Sequence, residues 1–105
     1  MDSCFTGGMT DALRIAGSAL AAQTISLAVT ADNVANTTTP GYTAKQAQFV
    51  PMNPGVSVGA IVDTGQSVDL ANQMVNLILA KAAYQAAASV FRTANQMSKT
   101  LIAAL

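Results

Sequence analysis

The side chains best suited to proton transfer or nucleophilic attack are few: Asp2, Asp11, Asp32, Asp63 and Asp69, the single Cys4, and the phenols Tyr42 and Tyr84. Histidine and glutamate are absent. Metal clusters of histidine and cysteine, and Ser-His or Cys-His nucleophile pairs, are therefore excluded. The aspartates are far apart in the chain, and Asp11 and Asp69 have a sufficient role at the starts of helices, where a carboxylate opposes the positive end of the macrodipole. Gly7-Gly8 lacks the strand before it and the Gly-Lys-Ser/Thr after it that a phosphate loop needs. Tyr42 and Tyr84 read as packing anchors, and no motif surrounds Cys4. Catalysis is not what these residues support, and they imply no metal, cofactor or small-molecule substrate.

The elements that position these residues are apolar. The chain has 105 residues, the size of one domain, with 51% hydrophobic and 10% charged side chains and no net charge. An ordinary soluble domain is about 25% charged, so much of this surface has nothing to solvate it and calls for a partner. Five scattered cations without a basic run cannot track a phosphate backbone, which argues against nucleic acid.

Two helical patterns flank a turn-rich middle, which divides the chain into a flexible start over 1–9, a helix over 10–36, a turn and hairpin over 37–66, and a helix over 67–105. Thr10 is the expected cap of the first helix. Leu13, Ala16, Leu20, Leu27, Ala31 and Val34 form its apolar stripe, interrupted by Gln23. Pro40 ends the pattern, and Pro40-Gly41 suits the centre of a type II turn. Strands are expected over 42–50 and 56–62, joined by the turn cluster Pro51-Met52-Asn53-Pro54-Gly55. Ser67 is the expected cap of the second helix, with Asp69 in its first turn.

The second helix carries the clearest signal. Leu77, Ala80, Tyr84, Ala87, Phe91, Ala94, Ser98, Leu101 and Leu105 alternate between steps of three and four, a heptad-like seam suited to coiled-coil packing. At 1.5 Å per residue this helix would be about 57 Å long. A second row, Met74, Ile78, Ala82, Ala86 and Val90, runs beside the seam. A single partner helix cannot cover both rows, which points to burial between molecules. The expected fold class is mainly α: two long terminal helices packed as a coiled coil around a short central β-hairpin.

No cleavable signal is read at the start, because Asp2 and Asp11 precede the first cation, Arg14, and Ser18, Gln23, Thr24 and Ser26 break the apolar run. The uncharged interval from Ile15 to Ala31 is long enough to keep a membrane-associated helical hairpin as an alternative.

The run Ala31-Asp32-Asn33-Val34-Ala35-Asn36-Thr37-Thr38-Thr39-Pro40-Gly41-Tyr42 resembles the N-terminal signature of bacterial flagellar rod and hook proteins, with Asn33, Ala35, Asn36, Thr39, Pro40, Gly41 and Tyr42 as the matching positions. Val68 to Leu105 is similar to the terminal helix of the same family, notably over Met74-Val75-Asn76-Leu77-Ile78 and Ala83-Tyr84-Gln85-Ala86. The resemblance implies an axial subunit of the basal-body rod, exported through the flagellum's own secretion channel, with its terminal helices in the core of a helical tube. Its partners would be copies of itself, other axial subunits and the export apparatus. The extended segment after Thr39-Pro40-Gly41-Tyr42 would reach neighbouring subunits. Small proximal rod subunits are the most similar, through the short interval before the last helix and through Gly55-Val56-Ser57-Val58-Gly59-Ala60-Ile61-Val62. Asp32 replaces the family's asparagine, Gln73 its glutamate and Ala82 its arginine, and the last two changes remove a plausible intersubunit ion pair. A rod-like adaptor or small filament protein outside the rod is the alternative that these departures keep.

Overall fold

In a computed structural model, residues 2–104 are described, with side chains from Thr10 onward. Leu105, the last expected member of the seam, lies outside the described residues, as does the side chain of Cys4. Four elements follow one another: helix α1 over Asp2–Ala35, strand β1 over Thr43–Pro51, strand β2 over Val56–Ser67 and helix α2 over Leu70–Ala104. Two long helices flanking a short antiparallel hairpin are the fold class read from the pattern.

α1 begins eight residues before the expected Thr10 cap, and its backbone runs as helix through Gly7-Gly8. Two glycines cost a helix about 1 kcal/mol each relative to alanine, which is why the sequence favours a later start. Further along, hydroxyl side chains bond back to the helix. Ser18 Oγ donates to the Ile15 carbonyl, Thr24 Oγ1 to Leu20 and Thr30 Oγ1 to Ser26. Back-bonding of this kind satisfies polar groups on several faces without external partners.

α2 opens at Leu70, with Asp69 as its cap. The Asp69 carboxylate accepts from the amides of Ala71 and Asn72, at 3.1 and 3.5 Å. Ser67, the expected cap, is the last residue of β2. Strand pairing carries β2 beyond Val62 because Thr43 pairs with Ser67 across a bulge. Asp63 closes that bulge by accepting from the Thr43 hydroxyl and the Gly65 amide, and Gly65 supplies the positive φ of 72°.

The helices pack antiparallel: Gly17 lies against the Phe91 ring, and Asn33 meets Gln73. The hairpin folds back along α1. Its base is tied to Asn33 through Lys45, and its tip rests on Ser18, whose Oγ accepts from the Val56 amide. Gly55 makes that seat possible. It has φ 107°, and a Cβ there would overlap Ser18 Oγ. The result is a slat of 61 × 21 × 13 Å, and among the described side chains the buried apolar ones are all alanine: Ala16, Ala22, Ala44, Ala80 and Ala94.

Candidate assembly surfaces

Asn33 is 1% exposed and uses its whole hydrogen-bonding capacity. Its Nδ2 donates to the Lys45 carbonyl at 2.8 Å and to Gln73 Oε1 at 3.0 Å. Its Oδ1 accepts from the Lys45 amide at 2.9 Å and from the Tyr42 hydroxyl at 3.2 Å. One side chain thus ties together α1, the turn, β1 and α2.

The rest of the motif closes the end of α1. The Asn36 side chain donates to the Asp32 carbonyl and accepts from the Thr39 hydroxyl. The Tyr42 amide donates to the Thr39 carbonyl at 3.2 Å, and Gly41 has φ 76°, which together make Thr39-Pro40-Gly41-Tyr42 the expected type II turn. Ala35 is exposed. The turn sends the chain back along the outside of α1. Tyr42 folds back onto Asn33, and Lys45 Nζ lies 5.4 Å from the centre of its ring. The extended segment therefore packs first on its own helix.

On α2 the seam resolves into two lines. Gln73, Ala80, Ala87, Ala94 and Leu101, each seven residues apart, face α1. Gln73, Ala80 and Ala94 are buried, and Ala87 and Leu101 are half-buried. Leu77, Tyr84 and Phe91 flank that line and stay 41%, 39% and 39% exposed. Small residues let the backbones come close, and the larger ones are pushed to the rim. On α1, Leu13, Leu20 and Leu27 are half-buried as a stripe requires, but Ala31 and Val34 are exposed. The inward positions there belong to Thr30 and Asn33, because the hairpin as well as α2 must be met at that end.

Gln73 is buried inside one copy, so the ion pair imagined for this position between subunits is not its setting here. Sequence reasoning missed its part in the Asn33 junction, although its seven-residue spacing from Ala80 was a usable signal. Nothing in the sequence marks Ser18 and Gly55 as partners.

The second row of α2 has no cover. Met74, Ile78 and Val90 are 55%, 65% and 54% exposed, and Ala82 and Ala86 are open as well. Both helices are long and apolar enough to cross a membrane, by length and composition. Among the described residues no three potential metal ligands gather.

Two family models match. One, described as flagella basal body rod protein, covers residues 13–43. The other, described as flagellar basal body rod FlgEFG protein C-terminal, covers residues 64–104. No curated protein matches the chain. The first match contains Asn33 and its turn; the second contains Gln73, the open row and the seam as far as Leu101.

Proposed function

The chain belongs to the flagellar basal-body rod proteins, a structural class that acts at the basal body, and from that premise we propose that it is an axial subunit that self-assembles through its two long helices into a helical tube. The observation that carries this reading is the uncovered second row of α2. Residues that a finished core would bury stand open along a helix of 35 residues whose opposite face is already packed. Copies of this chain and other axial subunits are the partners that cover them, and delivery runs through the flagellar export apparatus. A proximal place in the rod is supported by the two-residue link, Val68-Asp69, between β2 and α2. Neither an adaptor role nor a membrane hairpin is favoured by the family.

The rim of the seam tests the reading. Phe91 packs on Gly17 yet keeps a large exposed face, so Phe91→Asp puts an unpaired charge where subunits would close over it. Filament assembly and motility are expected to be lost. Normal motility in cells that carry only this variant would remove α2 from the assembly mechanism.

A further inference from the structure

Among the described residues the charges of α2 are all of one sign, while α1 carries Asp11 and Asp32 together with Arg14. Among the described residues α2 has three cations, Lys81, Arg92 and Lys99, and no acid. They are eleven and seven residues apart, close to three and two full turns, so they lie within about 20° of one another around the helix. They form a stripe about 27 Å long. Asn76, Leu79 and Ala83, which face the hairpin, lie on the other side of the Gln73–Ala80 line. α1 carries Asp11 and Asp32, which lie about 60° apart around the helix, with Arg14, Ile25 and Ala28 exposed between them. None of these five charged groups has an ion-pair partner among the described residues.

Within one copy these charges are out of step. The register that sets Asn33 beside Gln73 and Gly17 beside Phe91 puts Asp32 level with Val75, about 9 Å short of Lys81 along the axis. We infer that the cationic face of α2 takes the Asp11–Asp32 face of α1 from a second copy, in a heterologous contact that does not close on itself. The inference rests on the self-assembly reading and names the faces that meet. In copies pointing the same way, α2 of one is antiparallel to α1 of the next. A slide of about 7 Å from the internal register brings Asp32 towards Lys81 and Asp11 towards Lys99 together. The remaining mismatch at each end is about 2 Å, within the reach of a flexible lysine stem. Arg14, one turn from Asp11, weakens attraction at that end and leaves more weight on Asp32 and Lys81. Packing α2 against α2 would set cations against cations, whether the two helices ran parallel or antiparallel.

The available area agrees. The chain exposes 6989 Å², about 1,500 Å² more than a compact protein of its mass. Two standard patches of about 800 Å² account for that excess, and a heterologous contact uses two patches per copy. Repeated without closure, such a contact makes a filament.

The test is a charge exchange on the full chain, read by sedimentation at low salt after circular dichroism has shown equal helicity at concentrations where each chain is assembled. K81D/K99D alone and D11K/D32K alone are each expected to need about tenfold more protein to assemble than the native chain. An equimolar mixture of the two, and the single chain with all four changes, are expected to recover assembly. High salt should narrow the differences. If the native chain assembles and both variants assemble equally well, the pairing is overturned and the self-assembly reading stands. Assembly of K81D/K99D with the native chain in preference to D11K/D32K would instead mean contact between α2 helices. A native chain that stays monomeric at every concentration overturns both.

Discussion

Asn33 shows what a buried amide can do that an apolar residue cannot. Its four hydrogen bonds join segments nine, twelve and forty residues away and include both the amide and the carbonyl of Lys45. Asn33→Leu keeps the branched outline but takes their side-chain partner from the Lys45 amide and carbonyl and from Gln73 Oε1. Stranded buried groups cost about 1–3 kcal/mol each, so a loss of about 3 kcal/mol is expected, read as a lower midpoint of urea unfolding on assembled protein. A midpoint within error of the native one would show that the junction is ornamental. Asp63 works more weakly, at the surface. The Thr43 hydroxyl, the Gly65 amide and nearby Lys45 hold its carboxyl below the ordinary aspartate range. A depressed carboxyl contributes stability that is present above its unfolded pKa, near 4, and is lost as pH falls through its folded value. Acidification below about pH 4 should therefore loosen the bulge at Thr43–Ser67. Thr43→Val should move the Asp63 titration, followed by NMR, upward.

At the scale of elements, the two glycines of the middle segment act differently. Gly41 needs its positive φ but has open space around it, so Gly41→Val meets only the backbone penalty, about 1–2 kcal/mol. Gly55 needs both its φ and its lack of a side chain, since Ser18 occupies the place of a Cβ. Gly55→Val should lift the hairpin tip from α1 and expose the Val56 amide to rapid hydrogen exchange. Gly41→Val should disturb the turn and assembly, and Lys45→Ala should do little beyond removing its contact with Tyr42. A fast-exchanging Val56 amide in the native chain would mean that the hairpin is not seated. The turn, the helices and the alanine line were legible because each rests on local rules: Pro-Gly geometry, breakers and seven-residue spacing. The fold-back of the hairpin was not, because it depends on a contact between Ser18 and Gly55 that leaves no periodic trace. The end of β2 was misjudged for a related reason. Gly65 and Asp63 read as a loop until Thr43 is seen across from them.

The whole molecule is extended for its size. Its radius of gyration is 17.7 Å, against about 13 Å for a compact chain of this length. Among the described residues its buried apolar side chains are alanines, which bring little surface out of water, while Ile78, Leu79 and Ile102 stand more than half exposed. Hydrophobic gain scales with the apolar area removed from water, and here many large apolar side chains remain to be covered. Folding and association are then linked, because any contact that binds the folded form draws the equilibrium towards it. Dilute protein should show weak helicity by circular dichroism, and helicity should rise with concentration together with sedimenting mass. The unfolding midpoint should climb over the same range. A sharp thermal transition in a proven monomer, unchanged over a hundredfold dilution, would mean that the alanine line and the Asn33 junction suffice to fold one copy. The open row of α2 would then be a surface the fold tolerates rather than one it must cover.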